Sequence, residues 1–227
     1  MINKKGIKFK KVWRGILVLT IAIPQFITLL YISKSFSDSA YVIAILRSWG
    51  WVGAKFSFWN DVTWSRVLVI LINVWIGIPY LMLIATGVLM NVPADLYESS
   101  KIDGAGPVKQ FTKITLPYLL FVTGPYLLTS FTGNLNNFNV IYLLTGGGPA
   151  NRHIITMQMK DGVSITTQTG GTDLLITWLY NLTVGTDSQP YYNVAAVISI
   201  MMFLVVATIS LIIYNILPSN RGEEDFQ

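Results

Sequence analysis

The chain has 227 residues, of which 52% are hydrophobic and only 12% are charged, and its mean hydropathy is +0.54. A soluble domain usually carries about 25% charged residues, so the composition predicts an integral membrane protein. The net charge of +5 does not indicate nucleic-acid binding, because the basic residues are concentrated at one end. The absence of cysteine excludes a disulfide framework and a thiolate metal site.

Long apolar runs divide the chain into predicted segments. A bilayer core about 30 Å thick needs about 20 apolar residues in a helix. Runs of this kind occur at residues 12–32, 67–90, 116–138 and 194–217. The sequence therefore predicts an all-α membrane domain over residues 12–217 with about four transmembrane helices.

The distribution of lysine and arginine predicts the orientation. Residues 1–11 are strongly basic, and the positive-inside rule places them in the cytoplasm. The loop of residues 91–115 and the C-terminal tail of residues 218–227 are then also cytoplasmic, whereas residues 33–66 and 139–193 form external loops. A cleaved signal peptide is disfavoured, because the first apolar run is too long and no small-residue cleavage site ends it.

The first external loop is rich in aromatic residues. Six of them occur between residues 49 and 64, namely Trp49, Trp51, Phe56, Phe58, Trp59 and Trp64. Aromatic side chains are favoured at the membrane–water boundary, so the loop is predicted to hold an interfacial helix or a re-entrant stretch. A contact surface for an external partner is the alternative.

The second external loop opens with a turn. Residues 146–149 read Gly-Gly-Gly-Pro, which is a strong turn signal. A Thr-, Gln- and Gly-rich stretch follows, and residues 174–182 are predicted to form a short amphipathic helix. His153, the sole histidine, is predicted to be a surface residue rather than a ligand.

Neutral polar side chains lie inside the predicted spans, where they are costly and usually functional. Asn73 and Gly77 share one helical face in the second span, and Ser130, Asn134 and Asn137 share one in the third. Interhelical hydrogen bonding, worth about 0.6 kcal/mol per contact, is the alternative role. Two such stripes favour a polar path through the membrane. Neutral amides and hydroxyls suit a sugar, since no buried lysine or arginine is available to bind an anion.

Residues 91–115 form a polar segment with a predicted shape. Asn91 is predicted to cap a helix whose first turn contains Pro93. Residues 104–107 break this helix, and Pro117 marks the entry into the third span. We call residues 91–117 the elbow. Its shape favours docking of another protein, and a well-made cytoplasmic turn without a partner is the alternative.

The residues of this elbow follow a spaced pattern. Glu98-Ser99-Ser100 is followed by three residues, Gly104, nine residues and Ile114-Thr115-Leu116-Pro117. This pattern resembles the EAA loop of binding-protein-dependent ABC importer permeases, in which EAA is followed at the same spacing by Gly and I-x-LP; here serines replace the alanines. The segments VPADLYESSKIDGAGP and SFTGNLNNFNVIYLLTGGGP are similar to MalF-type sugar permeases. The resemblance covers about residues 12 to 217.

The resemblance implies the type I ABC importer permease fold with a cytoplasmic coupling helix. The ATPase-coupling residues that it implies are Glu98, Ser99, Ser100, Asp103, Gly104, Ile114, Leu116 and Pro117. The substrate-path residues that it implies are Gln25, Asn73, Gly77, Ser130, Asn134 and Asn137. In the family, the coupling helix lies in a groove of the ATPase and transmits its closure to the membrane helices.

The implied function is that of a permease subunit, which is not an enzyme, in an importer that moves a malto- or other oligosaccharide across the cell membrane by alternating access. The expected partners are cytoplasmic ATPase subunits, a second permease subunit, an extracytoplasmic sugar-binding protein and membrane lipid. The sequence has no GxxxxGK[ST] loop. We therefore expect no cofactor in this chain, with ATP and Mg²⁺ bound by the partner ATPase.

Two alternatives to this function stay open. One is a permease for another polar solute, and the other is a membrane assembly or regulatory subunit without a pathway of its own. The chain begins almost at the first predicted span, whereas the family has at least one further core helix before it. We therefore expect an N-terminus shorter than is usual in the family.

Overall fold

The computed structural model of the chain describes residues 9–158, 162, 164–184 and 191–217. Of the predicted basic N-terminus, residues 1–8 lie outside the described residues, as does the whole predicted tail of residues 218–227. The side chain of His153 also lies outside them.

The chain is mostly helical. Its elements are α1 (Lys10–Ala22), α2 (Gln25–Ser35), α3 (Tyr41–Ser48), α4 (Val62–Met90), α5 (Ala94–Ile102), α6 (Pro107–Gln110), a π-helical segment (Phe111–Thr115), α7 (Leu116–Leu135), α8 (Phe138–Thr145), β1 (Ala150–Gln158), β2 (Ser164–Gly170), α9 (Leu175–Val184) and α10 (Tyr192–Ile216).

These elements belong to two compact units, each made of separate chain segments. The first unit consists of Met1–Val18, Ile78–Asn134 and Met202–Gln227. The second unit consists of Leu19–Gly77 and Leu135–Met201. The elbow that the sequence predicts lies in the first unit, and both loops that were predicted to be external lie in the second.

Among the described residues, three helical stretches are long and apolar enough to cross a membrane. They are Val62–Met90, Pro107–Leu135 and Tyr192–Ile216. They overlap the second, third and fourth predicted spans. The middle stretch begins earlier than predicted, because the π-helical segment joins α6 to α7 without a break. Pro79 lies inside α4, which continues through it.

The first predicted span, residues 12–32, is divided in the structure. α1 ends at Ala22 and α2 begins at Gln25, and at 13 and 11 residues each helix is shorter than the length of about 20 that one crossing needs. Pro24 explains the division, because its ring disfavours helical backbone at Ile23 and it has no N–H to donate. The sequence predicts a continuous first span, and the structure has a break there.

One segment departs from the helical architecture. β1 and β2 form an antiparallel pair in which Thr156 lies opposite Thr166 and Ile155 opposite Thr167. β-Branched residues favour extended backbone, because they pack well on a pleated surface. The chain is therefore mostly, rather than wholly, helical. The helix predicted at residues 174–182 is present as α9.

The second unit is held by an apolar core between α2, α4 and α8. Its buried members are Leu29, Leu68, Val69, Ile72, Val140, Ile141 and Leu144. Polar contacts fix the register around this core. The Ser33 hydroxyl donates to the carbonyl of Leu144 at 2.7 Å, and the indole N–H of Trp59 donates to the carbonyl of Ser33 at 3.0 Å.

The glycine turn after α8 forms a close contact with the end of β2. Gly147 has a φ of +89°, and a Cβ on it would overlap the carboxylate of Asp173. The backbone N–H of Thr172 donates to the carbonyl of Gly147 at 3.0 Å, and that of Gly170 donates to Asp173 Oδ2 at 2.7 Å. Only glycine fits at position 147, because both the backbone conformation and the space exclude a side chain.

We predict that Gly147→Ala destabilises the chain by about 1–3 kcal/mol, which is the usual cost of a strained backbone position. The overlap of the added Cβ with Asp173 increases this cost. The control is Gly53→Ala, because a Cβ at Gly53 meets nothing within 4 Å. The effect is measured on detergent-purified protein, as the temperature at which the size-exclusion peak falls to half of its height. Equal temperatures for the two variants would contradict the turn geometry.

Candidate functional site

The elbow begins with α5, whose Glu98 and Ser99 are exposed. Pro93, with a φ of −57°, occupies the N-cap position of α5, and no side chain caps this helix. The amide of Asn91 instead donates to the carbonyl of Gly87 at 3.3 Å and so closes the end of α4. The prediction that Asn91 caps the elbow helix is therefore wrong, because Asn91 lies two residues before the cap.

Gly104 ends α5 in a Schellman turn. Its φ is +75°, its N–H donates to the carbonyl of Lys101 at 3.0 Å, and the N–H of Ala105 donates to the carbonyl of Ser100 at 2.8 Å. This pair of bonds satisfies carbonyls at the helix end and favours glycine at the left-handed position. Asp103, which precedes it as the C-cap, is exposed.

The returning arm enters α7 through the π-helical segment. The N–H of Leu116 donates to the carbonyl of Phe111, five residues earlier. Pro117 follows directly, and its ring would crowd the carbonyl of Lys113 in a regular α-helix. The wider π-turn gives the ring room. The motif residues Ile114, Leu116 and Pro117 are all half-buried at this junction.

Polar side chains tie the two arms of the elbow together. Tyr97 and Thr115 share a hydrogen bond between their hydroxyls at 2.9 Å. The amide of Gln110 donates to the hydroxyl of Ser100 at 3.0 Å, and that hydroxyl donates to the carbonyl of Tyr97 at 2.9 Å. Ser100 therefore holds the elbow together, whereas the exposed Ser99 donates back along its own helix, to the carbonyls of Asp95 at 2.9 Å and Leu96 at 3.3 Å.

The tip of the elbow exposes large apolar side chains. Ile102 is 87% exposed and Val108 is 77% exposed, on either side of the glycine turn. The sequence interpretation did not single out these residues, although apolar residues within a polar segment are a readable signal. They form an apolar tip on an otherwise polar segment.

An apolar groove of about 410 Å³ lies beside the elbow. It is lined by Pro93, Leu96, Lys113, Ile114, Pro117, Tyr118 and Phe121. Two of the motif residues, Ile114 and Pro117, therefore form part of its wall. The groove places the start of α5 and the start of α7 side by side.

In the second unit, the structure brings two of the predicted path residues together. The amide N–H of Asn137 donates to Asn73 Oδ1 at 3.0 Å, while Asn137 Oδ1 accepts from the N–H of Val140 at 3.3 Å. Asn137 is thus the N-cap of α8, and it does not continue the third span. The predicted stripe from Ser130 through Asn137 is broken, because α7 ends at Leu135 and asparagine favours a cap position.

The other four predicted path residues lie apart from the Asn73–Asn137 contact. In the first unit, the amide of Asn134 donates to the carbonyl of Ser130 at 2.7 Å, so both residues lie on one face of α7. In the second unit, Gly77 is exposed one turn after Asn73, and Gln25 is exposed at the start of α2.

An aromatic cluster adjoins Asn137 in the second unit. The rings of Phe138 and Tyr142 stack at 4.9 Å, and Tyr180 meets them edge-on at 5.0 and 5.1 Å. Tyr180 lies outside the candidate spans, and its hydrogen bond with Tyr142 raises the pKa of Tyr180 above its usual range. The sequence interpretation missed this cluster, although the spacing of four between Phe138 and Tyr142 is a readable signal.

The sequence matches the family described as "Binding-protein-dependent transport system inner membrane component" over residues 1–221. The chain belongs to this family. That membership confirms the predicted resemblance, and it also confirms a membrane-embedded transport component rather than an enzyme.

Three relatives illustrate the match. The chain is 38% identical over 220 residues to the maltodextrin transport system permease protein MdxF of Bacillus subtilis, covering 94% of this chain and 47% of the relative. It is 39% identical over 214 residues to the galactooligosaccharides transport system permease protein GanP of the same organism, covering 93% and 47%. It is 35% identical over 212 residues to the maltose/maltodextrin transport system permease protein MalF of Escherichia coli, covering 93% and 39%. The chain thus spans about half, or less, of the length of these relatives.

A solved structure has the same fold. A chain in the crystal structure of a bacterial alginate ABC transporter, in complex with an alginate pentasaccharide-bound periplasmic protein, superimposes with a TM-score of 0.73 at 20% identity. The match covers 97% of this chain and 70% of that chain. It confirms the predicted type I permease fold.

We predict that Asn137→Ala lowers stability by about 2 kcal/mol, since a lost helix cap and a lost hydrogen bond each cost about 1 kcal/mol. Asn137→Asp retains an oxygen that accepts from the N–H of Val140 but loses the N–H that donates to Asn73, so we expect it to lose only about 1 kcal/mol. Thermal unfolding of the purified variants separates the two outcomes. If Asn137→Asp were as unstable as Asn137→Ala, the capping role would be wrong.

Proposed function

We propose that this chain is the transmembrane permease subunit of an ABC importer, which carries a malto- or other oligosaccharide across the cell membrane by alternating access. The geometry of the elbow carries the proposal. α5 lies between two candidate spans, exposes Glu98 at its surface and presents Ile102 and Val108 at its tip. A connecting turn without a partner has no need to expose these apolar side chains.

The elbow is suited to transmitting force from an ATPase subunit. Exposed Glu98 pairs with a basic group of the ATPase, and the apolar tip inserts beside it. The Tyr97–Thr115 and Gln110–Ser100 bonds make the two arms move together. Because the π-helical segment continues directly into α7, a displacement of α5 reaches a spanning helix instead of being absorbed in a loose loop.

The chemistry of the candidate path supports a sugar as the cargo. The side chains of Asn73, Asn134 and Asn137 offer uncharged donors and acceptors that match sugar hydroxyls. The rings near Asn137 add apolar faces that suit the C–H surface of a pyranose. Relatives named for maltodextrin and galactooligosaccharides support the same substrate class.

The proposed topology places both termini and the elbow in the cytoplasm, with the β1–β2 hairpin and the aromatic loop of residues 33–66 outside. The N-terminal basic residues carry this orientation. The proposed partners are two cytoplasmic ATPase subunits, a second permease subunit and an extracytoplasmic sugar-binding protein. The ATPase subunits bind ATP and Mg²⁺, and this chain holds no cofactor.

The elbow is tested with Gly104→Val. Valine strongly disfavours the φ of +75° at this position, so the Schellman turn opens and the tip moves. In proteoliposomes we expect ATP hydrolysis to continue while sugar uptake falls at least tenfold. The matched control is Gly106→Val, because Gly106 has an extended conformation with a φ of −70° and nothing lies within 4 Å of a Cβ there. Sugar uptake by Gly104→Val at the wild-type rate would contradict the proposed coupling role of this turn.

The path is tested with Ser130→Ala and Asn134→Ala. A lost hydrogen bond of about 1 kcal/mol corresponds to roughly a fivefold rise in KM for the transported sugar, with assembly intact. Thr129→Ala is the control, because Thr129 is exposed on the same helix and bonds back to the carbonyl of Pro125 at 2.9 Å. If the path variants lost assembly while keeping their sugar preference, an assembly subunit would be favoured over a transporting one.

A further inference from the structure

The short helix α3 and the residues after it carry large aromatic side chains that no described residue of their unit covers. Tyr41 is 80% exposed at its start, and beyond its end Trp49 and Trp51 are 63% and 72% exposed. The two indoles meet edge-on with ring centres 5.3 Å apart. On the opposite face, Ile43 is fully buried. α3 is therefore fastened on one side and presents an aromatic surface on the other.

This surface is held rigidly. The guanidinium of Arg47 donates to the carbonyl of Asp38 at 3.2 Å and to that of Phe56 at 3.0 Å. The amide of Asn60 donates to the carboxylate of Asp38 at 3.0 Å. Arg47, in the last turn of α3, is therefore bonded both to the segment before the helix and to the segment after it. The exposed tryptophans are thus fixed in place by the surrounding loop.

A chain of contacts relates α3 to the start of the spanning helix α4. Arg47 bonds to Phe56, and the ring of Phe56 packs edge-on against Trp64 with centres 5.5 Å apart. Trp64 lies in the first turn of α4, where its N–H is capped by Asp61 at 2.9 Å. The end of α3 therefore lies near the level at which α4 begins.

At that level the side chains change from charged to apolar. Asp61 and Arg66 are charged and belong on the aqueous side, whereas the exposed side chains of Val67, Ile70 and Leu71 begin the apolar surface of α4. Trp64 lies between Asp61 and Arg66 in the chain, three residues before Val67. Tryptophan and tyrosine are favoured at this depth, because an apolar ring and a polar tip are both satisfied there.

We infer that α3 lies flat on the membrane, with Trp49 and Trp51 inserted among the lipid headgroups at the end of α4 that Val62 begins. A helix of eight residues is roughly 12 Å long. If α3 stood upright in the membrane, its two ends would differ in depth by that length. The exposed aromatics Tyr41 and Trp49 lie at opposite ends of α3, so both reach the interface only if the helix lies flat. Lipid is favoured over a protein as the occupant, since the aromatic surface adjoins the apolar surface of a spanning helix. The inference does not depend on the proposed cargo or on the side of the membrane.

The absence of cysteine from the chain permits site-specific labelling. Trp49→Cys and Trp51→Cys are each labelled with bimane in the assembled complex, with cysteine-free partner subunits, in nanodiscs. Lys55→Cys is the matched control, because Lys55 is exposed in the same loop and has a charged side chain. Quenching by phospholipid brominated near its headgroup is compared with quenching by aqueous iodide.

We expect bimane at positions 49 and 51 to be quenched at least twofold more by brominated lipid than bimane at position 55, with the reverse order for iodide. Tyr41→Cys gives an independent reading at the other end of α3, and lipid quenching there confirms the flat orientation. Equal quenching at positions 49, 51 and 55 overturns the inference. Protection from iodide that appears only when a soluble external binding protein is added, without lipid quenching, also overturns it and assigns the surface to that protein.

Discussion

Inside a bilayer, no water is available to satisfy backbone N–H and C=O groups, so each interruption of a helix near the membrane must find its partners within the protein. The chain meets this constraint in a different way at each break. Pro24, which has no N–H to satisfy, starts α2, and the side chain of Asn137 caps α8. Before Pro117 a π-turn makes room for the ring while keeping the hydrogen bonds of the helix. Three of the candidate functional residues, Gln25, Asn137 and Pro117, lie at these interruptions.

The elbow shows how local backbone chemistry joins two short helical arms into one connected part. A left-handed glycine closes α5, two side-chain contacts join its arms, and the returning arm enters a spanning helix without a loose joint. Each of these contacts contributes only about 1 kcal/mol. Together they connect α5 to the segment that leads into α7, as the proposed coupling role requires.

The same helix α4 connects two chemically different surfaces. Its first turn belongs to an aromatic layer built from Trp64, Phe56 and the residues fixed by Arg47, and its last residues lead into the elbow through Asn91. Tryptophan is the residue type favoured at the membrane–water interface, and the first turn of α4 carries one in Trp64.

The sequence alone determined the membrane class, the elbow and its register, because long apolar runs, a glycine and two prolines act through local backbone physics. The fold and family that it predicted are confirmed, whereas the roles of the candidate site residues stay predictions. Only the tertiary structure decided that Asn137 leaves the third span to cap α8 against Asn73, that Ser100 holds the elbow together, and that residues 150–158 pair with residues 164–170 as strands. Each of these depends on a partner distant in sequence, and neither helical periodicity nor motif spacing contains that information.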